Sequence, residues 1–386
     1  MPAKSLDLKL ARILADRSCR DFILADAKDA DMAYGISSPG RSPEHHAAEG
    51  RFRTLDEYRE LIRENVRQGL IDIMLMSASS NAVLTLEERL FDGSHVTPAI
   101  RANDTTDVWA AQGGAYLREP SRPFRSASID QAMCGKPACS ADQRRRGADL
   151  GLYSITFNND LSLDYATLSA YRDFRREAAS KGFRHFLEVF DPNALQNPPA
   201  DLPRYLNDMI TRTLAGVAGA ERPIFLKIAY HGPAAMEQIA GYDSRLVVGI
   251  LGGASGTTFD AFHQLWEAKK FGARVALYGR MINHAEHQLS FIEHLRAVAD
   301  DQILPAEATR SYHAALARLG IRPYRPLDAD LQATLRGTAY GSGNSPGKST
   351  YSAPAKTGPL TDPDFSKMSQ AEKTRWNLDR WKRIIG

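Results

Sequence analysis

The chain has 386 residues, of which 43% are hydrophobic and 25% charged, as is usual for a globular protein with a sizeable core. Its net charge of +3 is too small to indicate nucleic acid or a membrane surface as a partner. No apolar run approaches the roughly 20 residues of a membrane-spanning helix. The first residues, MPAKSLDLKLARILADRSCR, read as a short amphipathic helix rather than a signal peptide. We therefore expect a cytoplasmic protein without a membrane segment.

Three cysteines are too few for a disulfide framework. Cys134 and Cys139 are five apart in a loop that contains Gly and Pro, and no further soft ligands for a metal lie near them in the sequence. We expect free thiols in a reducing cytosol.

Short β-rich apolar runs alternate with longer helical patterns along most of the chain. Helical periodicity is found at 54–68, 163–181, 202–218 and 259–271, and Gly182 and Gly272 are expected to end the second and the fourth of these helices. The apolar runs occupy residues 22–26, 71–76, 96–101, 150–157, 185–190, 224–229, 246–251 and 274–278. This alternation predicts βαβ units and a parallel sheet.

Eight such units predict a closed (β/α)8 barrel, a TIM barrel, over residues 21–321. The alternative is an open doubly wound sheet, which usually carries its Gly-rich phosphate loop after the first strand. Here the glycines cluster after the seventh and eighth runs, which favours the barrel.

Three segments lie outside the βα pattern. Residues 1–20 form the N-terminal helix, and 101–146 is a long connection between the third and fourth strands, of a size that is often functional. Residues 322–386 form a C-terminal extension in which a flexible Gly/Ser/Pro-rich stretch precedes a helix with Trp376 and Trp381. We expect this helix to dock on the barrel or on a neighbouring subunit of a homo-oligomer.

Lys227 stands in the sixth apolar run, IFLKIA, and is the strongest candidate for catalysis. If it points into the barrel, burial disfavours its charged form and leaves an amine that attacks carbonyl groups to form a Schiff base. The alternative is a structural lysine at the strand end, paired with a carboxylate.

Glycine segments follow the seventh and eighth runs, LGGASGTT and YGRMINH. Barrels frequently bind a phosphate group with the loops in these two places, where glycine lets backbone amides approach an anion. The alternative is two tight turns without a ligand. The expected phosphate ligands are Gly252, Gly253, Ala254, Gly279 and Arg280.

Residues 149–300 resemble the archaeal-type class I fructose-bisphosphate aldolases and their relatives, among them the deoxyribose-phosphate aldolases. The matching pieces are GADLGLYSITF, FLKIAYHGP, VVGILGGASG and VALYGRMINHAEHQ on strands four, six, seven and eight. The resemblance implies that Lys227 forms the Schiff base and that the two glycine segments hold a substrate phosphate. It implies no cofactor and no metal.

The family often carries an aspartate after strand one and a tyrosine on strand four. Asp26 is the first choice for the aspartate, with Asp29 and Asp31 as alternatives, and Tyr153 is the first choice for the tyrosine, with Thr156 as the alternative. The long connection and the tail are not typical of the family.

Other residues are weaker candidates. Glu188 on strand five is expected to act as a general acid and base if it faces inward, and the alternative is a solvated or salt-bridging role. His231 is either a proton-transfer residue or a structural one, and Arg101 is a candidate for a second anionic group of the substrate. His284 and His287 have the i, i+3 spacing of a chelate, but no third ligand is evident in the sequence.

These observations predict a Schiff-base aldolase, a carbon–carbon lyase of carbohydrate metabolism that acts on a phosphorylated sugar or keto compound. The alternatives are an aldol-transfer synthase on the same scaffold and a non-catalytic barrel that binds a phosphorylated ligand.

Overall fold

The computed structural model describes residues 2–42, 51–104, 119–252 and 256–334. Eight parallel strands form a closed barrel, and each strand pairs with the barrel strands before and after it in the chain, with the last pairing to the first. The strands are β1 Ile23–Lys28, β2 Ile73–Met76, β3 Thr97–Arg101, β4 Leu150–Thr156, β5 Arg184–Phe190, β6 Leu226–Ile228, β7 Val248–Leu251 and β8 Val275–Tyr278. The predicted (β/α)8 barrel is confirmed.

Helices follow the strands and cover the outside of the barrel. The four predicted helical patterns are found, and the second of them ends at Gly182, whose φ of 68° is the left-handed conformation that glycine adopts without strain. The helices are α1 Ser5–Ala15, α2 Asp31–Tyr34, α3 Leu55–Gln68, α4 Ala78–Asn81, α5 Ile129–Cys134, α6 Leu161–Lys181, α7 Leu202–Ala215, α8 Pro233–Tyr242, α9 Thr258–Lys270, α10 Arg280–Asn283, α11 Gln288–Ala299, α12 Pro305–Arg318 and α13 Leu327–Asp330.

Each barrel strand has one face toward the axis and one toward the helices, because successive side chains alternate. The axial side chains pack together in one cluster that includes Ala25, Leu75, Ala99, Phe186 and Phe225. The intervening residues pack in a larger cluster with the helices. Leu6 and Ile13 of α1 belong to the axial cluster, so the N-terminal helix closes the end of the barrel where the strands begin.

The connection between β3 and β4 contains α5 and a disulfide bond between Cys134 and Cys139. Gly135 has a φ of 77°, and the turn it allows brings the two Cα atoms to 6.3 Å. The expectation that these cysteines are free thiols is therefore wrong for this pair, and Cys19 is the free cysteine.

The first part of the predicted C-terminal extension packs on the barrel helices. Asp330 of α13 accepts a hydrogen bond from the Thr258 amide, and the Thr334 hydroxyl donates one to Asp260, both at the start of α9. These residues belong to a compact unit, Met1–Gly343. The second unit, Asn344–Gly386, and the predicted tail helix lie outside the described residues. Within the described ranges, no helix is both long and apolar enough to span a bilayer.

Candidate active site

Lys227 and Glu188 lie side by side inside the barrel, near the ends of β6 and β5. They are register partners in the sheet and share the axial face with Phe225 and Phe186, two residues earlier on each strand. The Lys227 Nζ is 2.6 Å from Glu188 Oε1, a charge-assisted hydrogen bond. The two residues are 7% and 1% exposed, so the amine is held in a largely dry site with a carboxylate in contact.

A chain of buried polar groups continues from Glu188 across the mouth of the barrel. The Ser154 hydroxyl on β4 donates to Glu188 Oε2 at 2.5 Å and accepts from Arg101 of β3 at 2.8 Å. The other terminal nitrogen of Arg101 donates to Asp29 Oδ2 at 2.6 Å. Residues at or just after the ends of five strands (β1, β3, β4, β5 and β6) therefore form one connected network. It contains two cations and two carboxylates, so its formal charges balance.

Asn103 fixes the position of Ser154 within this network. Its side-chain amide donates to the Ser154 carbonyl, and its side-chain carbonyl accepts from the Ser154 amide, both at 2.8 Å. Because both bonds are buried, they hold the end of β4 firmly and leave the Ser154 hydroxyl between Arg101 and Glu188.

Gly249 of β7 is the register partner of Lys227 on its other side. A Cβ atom at this position would approach the Leu226 carbonyl oxygen to 2.8 Å and Val275 Cβ to 2.7 Å, so no other residue fits without movement. Glycine at this position therefore lets β6, β7 and β8 pack closely beside the lysine.

Asp26, the first choice for the aspartate that the family carries after strand one, does not reach this network. It lies on the helix-facing side of β1, fully buried, where it pairs with Lys28 at 2.9 Å and accepts a hydrogen bond from Asn65 of α3. Burial raises the pKa of Asp26 and lowers that of Lys28. Asp29, one of the two alternatives, is the aspartate that the structure brings to Arg101.

Tyr153 also faces the helices rather than the barrel axis. Its ring stacks on Phe174 of α6 at a centroid distance of 4.4 Å and lies 5.3 Å from the ring of Tyr171. Burial raises the pKa of Tyr153 to about 12. Tyr153, the first choice for the strand-four tyrosine, therefore lies away from the barrel axis, and its neighbour Ser154 takes the inward position on β4.

The glycines that end β7 and β8 are required by packing. A Cβ at Gly252 would meet the Tyr278 ring at 2.4 Å, and one at Gly279 would meet the Ala27 carbonyl oxygen at 2.9 Å. Arg280 follows directly in α10. Gly253 and Ala254 lie outside the described residues.

The start of α9, which follows the β7 loop, already has hydrogen-bond acceptors for its amides. The Thr257 side chain accepts from the Asp260 amide, and Asp330 accepts from the Thr258 amide. These two amides of α9 are therefore not available to an anion between β7 and α9.

The remaining candidates do not contact Lys227. His231 hydrogen-bonds to the buried Asp191 at 2.8 Å, and the His287 ring accepts from the Ser290 amide as the cap of α11. The described residues contain no group of three His, Cys, Asp or Glu side chains arranged to hold a metal ion. Arg101, suggested for a second anionic group, is already bonded to Asp29 and Ser154.

Ser154, Asn103 and Gly249 were not predicted from the sequence. The inward position of Ser154 and Gly249 could have been inferred from the alternation of side chains, because they lie two residues after the axial residues Leu152 and Val247. The sequence carried no comparable signal for Asn103, which acts from the loop after β3.

Solved structures of aldolases share this fold. One archaeal fructose 1,6-bisphosphate aldolase is 16% identical with a TM-score of 0.54, over 77% of this chain and 100% of that chain. A second, in which the catalytic Lys is covalently bound to the carbinolamine intermediate of the substrate, is 17% identical with a TM-score of 0.55, over 77% and 100%. The fructose-bisphosphate aldolase from Slackia heliotrinireducens is 12% identical with a TM-score of 0.57, over 80% and 89%.

No protein-family model matches the chain, and no curated protein matches it. At these identities the structural likeness establishes a shared fold.

Proposed function

We propose that the chain is a Schiff-base-forming aldolase that cleaves or forms a carbon–carbon bond in a phosphorylated sugar or keto compound. The observation that carries the proposal is the buried contact of 2.6 Å between Lys227 Nζ and Glu188 Oε1 at the mouth of the barrel.

Glu188 is placed to move each proton that Schiff-base formation requires. It first accepts a proton from the Lys227 ammonium, and the free amine then attacks the substrate carbonyl to give a carbinolamine. Glu188 returns this proton to the carbinolamine hydroxyl, which leaves as water, and an iminium forms. The carboxylate is then ionised again.

The iminium is the electron sink for the carbon–carbon bond. Glu188 accepts the proton of the substrate hydroxyl, the neighbouring bond breaks, and its electron pair moves into the iminium to give an enamine and an aldehyde. Glu188 next protonates the enamine carbon, and water releases the second product from Lys227. Ser154 and Arg101 stabilise the carboxylate form of Glu188 at the start and end of this cycle.

We propose that the substrate phosphate binds at the ends of β7 and β8, through the amides around Gly252, Gly253 and Ala254 and through Gly279 and Arg280. Support comes from the place of Gly252, Gly279 and Arg280 at the same end of the barrel as Lys227 and from the close backbone approach at Gly252 and Gly279. A ligand held there would direct its other end toward Lys227.

Reductive trapping tests the proposal. Borohydride added with a panel of sugar phosphates converts the iminium to a stable secondary amine, and mass mapping should find the added substrate mass on the peptide that contains Lys227. Lys227→Met should abolish both the label and turnover. A label on another lysine, or turnover that persists in this variant, contradicts the proposal.

Lys28 provides a matched control, because it is a second lysine buried in the barrel wall but faces the helices. The variant Asp26→Asn with Lys28→Met removes this pair without leaving a charge unpaired, and it should keep the label on Lys227. Absence of any label with every substrate, in protein that binds them, would favour a non-catalytic phosphate-binding barrel.

A further inference from the structure

A second cleft of about 400 Å³ lies at the opposite end of the barrel from Lys227. It is bordered by α1, the segment after α4, the end of the β3–β4 connection and the first residues of three strands. Thr97 begins β3, Asp149 precedes β4 and Arg184 begins β5, whereas Lys227 and its partners lie near the strand ends. The volume is within the range of roughly 300–1,000 Å³ that is usual for small-molecule sites.

The rim of the cleft is rich in cations although the whole chain carries a net charge of only +3. Six cationic and three anionic side chains line it: Lys4, Arg89, Arg144, Arg146, Lys181 and Arg184, with Asp7, Asp92 and Asp149. The carboxylate of Asp130, just behind the rim, pairs with Arg144 and Lys181. Lys181 also pairs with Glu177, so six cations stand against five carboxylates and one positive charge is in excess.

Some of these cations already have structural partners. Arg184 pairs with both Asp7 and Asp149. Lys4 donates to the carbonyl oxygens of Phe91, Ser94 and Val96, which ties α1 to the segment before β3. These residues hold the walls in place.

Three arginines retain donors that can face a ligand. Arg144 uses its Nε to reach Asp130, and Arg89 uses its Nε and one terminal nitrogen to reach Asp92 and the Arg146 carbonyl. Across the part of the chain that the structure describes, the Arg146 guanidinium, itself exposed, forms no hydrogen bond or ion pair. The Arg146 side chain therefore contributes charge to the cleft and no polar contact to the described part of the fold.

Backbone packing presents this arginine turn to the cleft. Arg144 and Arg146 lie in one turn that is followed by Gly147, whose amide donates to the Met133 carbonyl. A Cβ at Gly147 would meet the Ala132 carbonyl oxygen at 2.3 Å, so only glycine allows this approach. Phe91 and Met133, both 3% exposed, give the cleft an apolar floor.

We propose that this cleft is a second binding site, for an organic anion that carries phosphate groups on a flat apolar body, such as a nucleotide. Guanidinium groups match phosphate oxygens in a two-bond geometry, and the Phe91–Met133 floor suits a base or a similar ring. The site shares no residue with the barrel mouth, so it does not depend on the aldolase proposal.

Isothermal titration of the full chain with ADP, inorganic pyrophosphate and adenosine tests this site. ADP and pyrophosphate should bind, ADP more tightly, and binding should weaken with salt because the contacts are ionic. Adenosine alone should bind weakly or not at all. Arg146→Ala should weaken ADP binding about tenfold and the Arg144→Ala, Arg146→Ala pair about a hundredfold, the effect of losing one and two charged hydrogen bonds.

Two variants serve as controls. Arg172→Ala removes an exposed arginine of α6 far from the cleft lining, and Arg280→Ala removes the arginine of the proposed substrate phosphate site. Neither should change ADP binding at the cleft. The thermal unfolding of Arg146→Ala should match the wild type, since this side chain has no structural contact.

The inference is overturned if neither anion binds, or if ADP binds Arg146→Ala as tightly as the wild type. It is also overturned if Arg280→Ala alone abolishes binding, because the anion would then lie at the barrel mouth. Failure of the aldolase proposal has a separate signature, the absence of reductive trapping at Lys227, and does not affect these titrations.

Discussion

Removal of Lys227 should destabilise the protein through the carboxylate that it leaves behind. Glu188 is 1% exposed and lies 2.6 Å from the ammonium group, so Lys227→Met leaves a buried charge without its nearest counterion. Breaking a buried ion pair in this way usually costs about 3–5 kcal/mol of unfolding free energy. Here Ser154 still donates to Glu188, and Arg101 remains 3.6 Å away. We therefore expect a smaller loss, about 2–4 kcal/mol.

The second variant, Glu188→Gln, should cost less. Gln keeps an acceptor for Ser154, and Lys227 can lose its proton when its counterion is gone, so about 1–2 kcal/mol is expected. In the double variant no charge is left unpaired, and its total loss should also be about 1–2 kcal/mol. The resulting coupling energy between the two residues is about 3 kcal/mol at the midpoints of these ranges.

Urea unfolding of the wild type, the two single variants and the double variant measures this coupling energy. Lys28→Met, Asp26→Asn and their double variant give a second thermodynamic cycle in the same barrel for comparison. If the double variant at Lys227 and Glu188 loses the sum of the single losses to within about 0.5 kcal/mol, the residues do not interact energetically and the reasoning fails. If turnover also survives in Glu188→Gln, this residue is not the proton carrier.

Four further outcomes are expected. Arg280→Ala should weaken binding of phosphorylated substrates by about 1–3 kcal/mol, and an equal loss with unphosphorylated analogues would contradict the phosphate site. Activity should survive prolonged treatment with a chelator, because the iminium replaces a Lewis acid, and loss with recovery on added zinc would indicate a metal-dependent reaction. Burial lowers the pKa of His185 to about 3. The unfolding free energy that depends on neutral His185 should therefore be complete above about pH 6.5 and decline by a few kcal/mol as the pH falls toward 3. His185→Gln should flatten this decline when urea unfolding is measured across the pH range. Truncation after Thr334 keeps the hydrogen bond between Asp330 and the start of α9. It should give a smaller assembly by light scattering if the tail helix docks between subunits. An unchanged size with unchanged kinetics would exclude both a docking role and a lid role for the tail.

The eight strands were predictable because each is a short apolar run, four of the connections show helical periodicity, and glycine follows β7 and β8. The small helices α4, α5, α10 and α13 were not predicted, since four to six residues are too few to show a period. The Cys134–Cys139 bond was missed for a different reason: it depends on a turn at Gly135 whose geometry the sequence does not reveal.

The shift from Tyr153 to Ser154 is one residue along β4, and the shift from Asp26 to Asp29, just after β1, is three. In a barrel such a shift moves a side chain from the axis to the helix layer, because adjacent residues face opposite ways. Motif resemblance gave the right strands but could not give this alternation.

Counting from Lys227 shows how the alternation could have been recovered. Phe225 and Lys227 share the axial face, as do Phe186 and Glu188, and the equivalent step on β4 runs from Leu152 to Ser154. What still required the structure was the stagger between strands, which sets Ser154 opposite Glu188 and Glu188 opposite Lys227. Apolar composition fixes which face of a strand is axial, but the stagger depends on how all eight strands tilt to close the barrel, and no single segment encodes it. The network at the mouth is therefore a property of barrel closure, and variants that loosen closure at Gly249 should disturb the contact between Lys227 and Glu188 even though they alter neither residue.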